Sequence, residues 1–430
     1  MDSKLAPTRR PLTRSEVRTL SLASLGGALE FYDFVIFVFF TGVIGKLFFP
    51  DDLPNWLRQL QTFGIFAVGY FARPLGGIVM AHFGDRYGRK RVFTLSVLLM
   101  AIPTLLIGVL PTYHSIGVAA PLLLIVMRVM QGAAIGGEAP GGWVFVAEHA
   151  PPGRTGLAIG LLTGGLTGGL LLGSLTATSI NLLLTPSQIA DGFWRAPFLL
   201  GGVFGFIAML LRQWLSETPV FEEMRKRAAI SRELPLRAVL RAYRAAVVAS
   251  MASTWMLTAA IVVVILMTPS LLQQSFGLAP GDTLLANLAG TAALCLSTVV
   301  VGILTDRFGV RRVLAPMAVL LVAGAYALYI GAAQMPHALL PLYVLAGAGT
   351  GIVSLTPLVM VRAFPAAVRF SGLSFSYNVA YAIFGGVTPL FISWLSHLDR
   401  FAPAHYIAGV TLVGVAATLL APIARSPEAS

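Results

Sequence analysis

Apolar runs of about 20 residues or more alternate along this chain with short polar connections, and a helix of that length crosses the roughly 30 Å core of a bilayer. Twelve runs can be placed. Six cover 20–46, 59–82, 91–110, 119–147, 155–184 and 194–214; six more cover 244–270, 283–304, 312–332, 338–361, 371–395 and 402–423. Between them lies a long polar stretch, 215–243, whose helical patterning predicts surface helices joining two groups of spans. The expected class is an all-α membrane protein. Its expected organisation is a cytoplasmic N-terminus (1–19), a six-helix bundle (20–214), a linker (215–243), a second six-helix bundle (244–423) and a tail (424–430).

A dense charged turn, Gly84-Asp85-Arg86-Tyr87-Gly88-Arg89-Lys90-Arg91, joins the second and third runs. Thr305-Asp306-Arg307-Phe308-Gly309-Val310-Arg311-Arg312 joins the eighth and ninth, and six of the eight positions are identical or close in kind. Recurrence half a chain apart reads as duplication. A looser echo pairs Pro151-Pro152-Gly153-Arg154-Thr155-Gly156 with the stretch from Pro365 to Gly372. The glycines allow sharp turns, and each Asp can receive arginines or cap a helix N-terminus.

Composition narrows the class. Of 430 residues, 57% are hydrophobic and 11% charged, against about 25% charged in soluble domains. The net charge of +12 would suit nucleic acid, but its placement points elsewhere. Most Lys and Arg fall on alternate connections: the N-terminus, 86–91, 154, 212–244, 307–312 and 362–369. The others hold few: Lys46, Arg58, Arg195 and Arg400. That alternation puts both termini in the cytoplasm, and a basic linker beside a membrane faces anionic lipid. The basic N-terminus leads into an apolar stretch too long for a signal-peptide core, which reads as a retained first span. Cys295, the single cysteine, leaves no internal disulfide possible.

Five ionisable residues sit well inside apolar runs, all in the first half: Glu30, Asp33, Arg73, Arg128 and Glu138. Each costs about 2.5–3.5 kcal/mol at a helix centre, so such groups pair or line a path. Glu30 and Asp33 stand three apart, on one helix face. Two close carboxylates in low dielectric do not both ionise easily, and a carboxyl that gains and loses a proton serves proton coupling; a plain salt bridge is the alternative. Arg128, Gln131, Ile135 and Glu138 share one face of the fourth run. Arg73 lies about twelve residues before Asp85, about 18 Å along a helix. Beside Pro74, Gly76 and Gly77, its forked cation suits a carboxylate ligand, or it partners Glu30 or Glu138. Tyr32, Trp255, Tyr377 and Asn378 line the same cavity or simply pack. The second half offers polar candidates such as Gln273, Asn287 and Asn378. Gly160, Gly164 and Gly168, with Gly165 and Gly169, let helices approach closely.

The repeated turn resembles the loop signature of the major facilitator superfamily. Arg128-Val129-Met130-Gln131-Gly132 matches that superfamily's fourth-helix motif, in which a buried arginine meets an acid of the first helix. Glu30-Phe31-Tyr32-Asp33-Phe34, Arg73-Pro74-Leu75-Gly76-Gly77, Gly136-Gly137-Glu138 and Glu217-Thr218-Pro219 together look like the metabolite:proton symporter family, over nearly the whole chain. The resemblance implies the major facilitator fold: twelve transmembrane helices in two pseudo-symmetric six-helix bundles around a central site. It implies a multi-pass protein of the bacterial cytoplasmic membrane that imports a small organic acid, such as citrate or another di- or tricarboxylate, with protons. Import of zwitterionic osmolytes such as proline or betaine is the alternative.

The resemblance also implies an Asp33–Arg128 pair whose making and breaking follows protonation. Glu30 and Glu138, as acids inside the spans, are further proton-coupling candidates. The expected substrate set is Arg73, Tyr32, Gln131, Trp255, Tyr377 and Asn378. Gly84, Asp85, Arg86, Gly88, Arg89, Asp306 and Arg307 are expected to latch the outward-facing state. No cofactor is expected, since the sequence carries neither P-loop spacing nor a metal-ligand cluster. A transporter-like receptor would add a sizeable cytoplasmic domain, and a drug exporter would carry a proline in the glycine-rich fifth span. No Ser/His or His/Asp constellation points to an intramembrane enzyme. The expected partners are a carboxylate, protons and lipid, without nucleic acid, and the expected state is a monomer.

Overall fold

The computed structural model describes residues 10–50, 52–53, 55–226 and 235–421. Six long helices form the first half: α1 (Arg14–Phe39), α2 (Asn55–Tyr87), α3 (Arg89–Val109), α4 (Ala119–His149), α5 (Thr155–Leu183) and α6 (Ala196–Gln213). Six more form the second: α7 (Arg244–Phe276), α8 (Pro280–Phe308), α9 (Val310–Gln334), α10 (Pro336–Ala363), α11 (Arg369–Leu398) and α12 (Ala402–Leu420). Eleven candidate spans are long and apolar enough to cross a membrane. The remaining helix, α2, has 33 residues, more than the roughly 20 that a crossing needs. Large apolar side chains such as Leu75, Leu182, Val248, Leu296 and Leu412 stay exposed, which suits hydrocarbon rather than water.

The expected runs sit within or close to these helices, with two departures. The first run, 20–46, breaks at Phe40, where α1 stops and a short helix, Thr41–Phe48, begins. The second departure is in α7, where Ala260–Met267 is π-helical, a rare form. Pro269 accounts for it. Proline has no N–H to return to Ile265, and its ring crowds the preceding turn. Side chains take up the carbonyls instead. Thr268 Oγ1 donates to Val263 (2.7 Å), Tyr343 Oη to Val264 (2.7 Å) and Asn287 Nδ2 to Ile265 (2.8 Å). So α8 and α10 bond to α7 where its own backbone cannot, as neighbours do around prolines in membrane helices. The linker holds two short helices, Pro219–Lys226 and Pro235–Ala242. Residues 227–234, between them, and the expected tail lie outside the described residues.

The charged turns lie at one end of the bundle, here termed the basic end, and bond the two halves together there. Gly88 and Gly309 turn α2 into α3 and α8 into α9 at φ of 115° and 83°, a region that favours glycine. Asp85 caps α11: the Ser371 N–H and Oγ–H donate to Oδ2 at 2.9 and 2.8 Å. Asp306 caps α5: the N–H groups of Gly156 and Leu157 donate to its two oxygens at 2.7 and 2.8 Å. Each turn therefore caps a helix of the opposite half. A third tie runs from Thr218 Oγ1, which donates to Glu148 (2.7 Å), to Arg369, which pairs with Glu148 at 3.1 Å. Along α5, Gly156, Gly160 and Gly164 face α8, while Gly165 and Gly169 face Ser24 and Ala28 of α1. The glycine stripe is thus two bare faces, one toward each half.

Candidate functional site

Arg73 stands where α2, α4 and α11 meet. Gly69 and Gly76 of α2 press on Gly132 and Ala133 of α4, so the two backbones touch. Asn378 of α11 reaches into this contact. Its Nδ2 donates to the carbonyls of Gly136 (2.6 Å) and Ser374 (2.9 Å), and its Oδ1 accepts from Arg73 Nε (3.4 Å). Arg73 is 1% exposed. Its guanidinium lies over three rings, 4.2 Å from Tyr381, 5.3 Å from Tyr377 and 5.7 Å from Tyr70. Tyr70 and Tyr381 stack on each other, and Trp143 meets Tyr377 edge-on at 5.0 Å. Among the described residues no carboxylate lies within ion-pair distance of Arg73, and its Nη2 makes no hydrogen bond. Ring faces offset part of the cost of burying this cation. They leave Nη2 to donate to a carboxylate.

The expected Asp33–Arg128 ion pair is not formed. Asp33 is fully buried, and neither carboxyl oxygen has a hydrogen-bond partner. The side chain turns to α6, where Gly201 and Gly205 leave room for it. Phe37, one turn along α1, instead covers Arg128, whose guanidinium lies 4.3 Å from the ring centre. Arg128 Nη1 donates to Gln131 Oε1 (2.9 Å), and Gln131 Nε2 donates to Thr104 Oγ1 (2.7 Å). Thr104 and Asp33 both border Gly201. The chain from Arg128 thus ends at Thr104, whose hydroxyl donates to the Met100 carbonyl (2.9 Å), and Asp33 lies beside Thr104 without a bond to it. Tyr32 also turns to α6, donating to the Pro197 carbonyl at 3.1 Å. It ties the first half together and does not line the space around Arg73.

Arg73 is not the partner of Glu30 or Glu138. That partner is Arg212 of α6, wholly buried. Its Nη2 lies 2.7 Å from Glu30 Oε1 and also contacts Glu138 Oε1. Its Nη1 donates to Glu138 Oε2 at 3.2 Å, and Ser96 Oγ donates to the same oxygen at 2.6 Å. Arg212 therefore joins the five expected groups, giving three acids and three arginines.

From sequence, Arg212 reads as a loop cation because it falls at the end of an apolar run. Tyr70 and Tyr381 were also not anticipated. Each had a signal in its spacing, three before Arg73 and four after Tyr377. Trp255 stacks on Phe384 at 4.5 Å and donates to Tyr406 Oη at 2.8 Å, apart from the rings around Arg73. Of the turn residues, Gly84 packs under Phe370. Arg86 and Arg307 are exposed over Tyr87 and Phe308. The Arg89 side chain lies outside the described residues.

Comparison with known proteins follows the same lines. The citrate-proton symporter of Klebsiella pneumoniae is 32% identical over 428 residues, covering 97% of this chain and 94% of that protein. The proline/betaine transporter of Escherichia coli (strain K12) is 28% identical over 417 residues, covering 93% and 82%. Among solved structures, the proton:xylose symporter bound to 6-bromo-6-deoxy-D-glucose matches with a TM-score of 0.77 at 18% identity, over 94% of each chain. An inward-open form of the xylose transporter from E. coli, covering 96% of this chain and 98% of that one at 18% identity, reaches 0.67. At such identity the likeness speaks for the fold. The Major Facilitator Superfamily profile matches residues 55–291. With paired halves, crossed helix caps, and relatives aligned over nearly its whole length, this chain belongs to the Major Facilitator Superfamily, a family of transporters rather than enzymes.

Proposed function

We propose that this protein imports a small organic acid, a di- or tricarboxylate such as citrate, together with protons by alternating access. Arg73 is the observation that carries this reading. It is a buried fork at the junction of the two halves, with ring faces around it and no paired acid among the described residues. A carboxylate arriving there gains charge-assisted hydrogen bonds. Asp33 carries the proton. Buried without a partner, it is far less costly as the neutral acid than as the anion. Arg128, tied through Gln131 to Thr104 beside Asp33, is the cation that responds to that charge. The basic end faces the cytoplasm, by its Lys and Arg content. Asp85 and Asp306 hold that end shut while substrate enters from the other. The name of the K. pneumoniae relative supports both the acid and the proton.

The name of the E. coli relative favours a second reading, a zwitterionic osmolyte. A quaternary ammonium group seeks aromatic faces, and here Arg73 already lies over three. The test is uptake of labelled organic acids, proline and betaine into proteoliposomes with an alkaline interior. Accumulation of a di- or tricarboxylate that collapses with a protonophore is expected. Accumulation of proline or betaine alone would replace this reading with the second.

A further inference from the structure

We propose that Glu30, Arg212 and Glu138 form a second proton-holding site, one helical turn from Asp33, with Glu30 as the member that gains and loses the proton. As a step in transport this rests on the proton-symport reading above; as a protonation site it stands alone.

The geometry is that of two carboxylates on one cation. Both hang on the same nitrogen, Arg212 Nη2. Glu30 is 2% exposed, Glu138 4% and Arg212 0%. The charged groups facing Glu30 are Arg212 from α6, Glu138 from α4 and Asp33 from α1 itself. The α3 side contributes Ser96, and α5 meets this stretch of α1 with Leu162, Leu166 and glycines. Fully ionised, the triad carries a net negative charge in a medium that penalises it heavily. One proton makes it neutral, and that proton belongs to the coupled pair.

The two acids are not equivalent. Glu138 is held by both Arg212 nitrogens and by Ser96. Glu30 has a single ion contact, and neither of its oxygens has an aligned hydrogen-bond donor. The donors therefore stabilise the negative charge on Glu138 and leave the proton to Glu30. Position gives the site a role. Arg212 lies in the last turn of α6, next to the basic end. Glu30, Ser96 and Glu138 lie side by side with Met100 and Ile135. A proton leaving Asp33 toward the basic end meets Glu30 next. In that transfer the O–H bond of Asp33 breaks and one forms on Glu30. Asp33 is left as the anion, and Arg212 is matched by Glu138 alone.

Infrared difference spectroscopy of the purified full-length protein in lipid, between two pH values, tests this without any substrate. In an Asp33→Asn background one neutral-carboxylic-acid band should remain at neutral pH. It should vanish in Asp33→Asn/Glu30→Gln and shift in frequency in Asp33→Asn/Glu30→Asp, which keeps an acid in place. A band unchanged by both Glu30 variants, or no neutral-acid band in the Asp33→Asn background, overturns the proposal. The transport step is read separately as citrate counterflow and gradient-driven citrate uptake. Glu30→Gln should keep counterflow and lose uphill accumulation; accumulation at the parent's level would remove Glu30 from the path. A parent that accumulates no panel substrate would instead sink the symport reading, with the infrared result still standing.

Discussion

At the scale of single residues, the sequence exposes which side chains are out of place but not whom they meet. Arg73, Asp33 and Glu30 are anomalies that any reading of the spans finds. Arg73 turns out to be held by rings and one amide, and Asp33 by nothing. Removing the guanidinium from a buried carboxylate site costs about 2–5 kcal/mol, because the ligand charge is left unpaired. Arg73→Gln should therefore weaken binding of the best transported acid by more than about tenfold. Arg73→Lys should recover only part, since lysine lacks the fork. Equilibrium binding to each variant checks this, and parent-like affinity in Arg73→Gln would mean the anion is held elsewhere. Asp33→Asn should abolish uptake driven by a pH gradient while sparing substrate exchange. Full gradient-driven uptake by that variant would take Asp33 out of the proton path.

At the scale of elements, duplication kept the frame and changed the chemistry. Gly132 of α4 presses on Gly69 of α2, and Gly347 of α10 presses on Gly290 of α8. Four residues before each contact stand Arg128 and Tyr343. Arg128 lies over a ring of α1; Tyr343 bonds the π segment of α7. The neutral half thus holds its first helix by hydrogen bonds that depend on Pro269. Tyr343→Phe removes the donor to the Val264 carbonyl and should cost about 1–3 kcal/mol. Thermal unfolding in detergent measures it. Tyr329→Phe, which leaves all three carbonyl donors in place, is the control and should cost less. Equal loss in the two variants would deny the π segment its dependence on Tyr343.

At the scale of the whole molecule, two carboxylates at the basic end each cap a helix of the opposite half. A charged cap on a helix N-terminus is favourable only while the helix stays in place, so on the proposed reading these contacts act as the latch. Asp85→Asn keeps the shape and loses the charge, and should shift the resting protein toward opening at that end. Spin labels at Tyr87→Cys and Phe308→Cys, in a Cys295→Ser background, report the distance between the two turns. The parent should show the shorter distance and Asp85→Asn an added longer one. An unchanged distribution would show that the cap does not hold the seam.

What the sequence determined by itself was everything local or periodic. Apolar runs long enough to span set the helices, and the repeated turn marked the two halves. Composition also marked the buried charges, because no lipid-facing position tolerates them. Tertiary structure alone decided how those charges pair. Pairing depends on the rotation and depth of each helix, which glycine contacts between backbones fix and which no spacing within one helix reveals. So Gly201 and Gly205 let Asp33 turn to α6, Phe37 covered Arg128, and Arg212 claimed both glutamates. The π segment followed the same logic. Pro269 was visible, but only packing supplied the Tyr343 and Asn287 side chains that satisfy the carbonyls it affects.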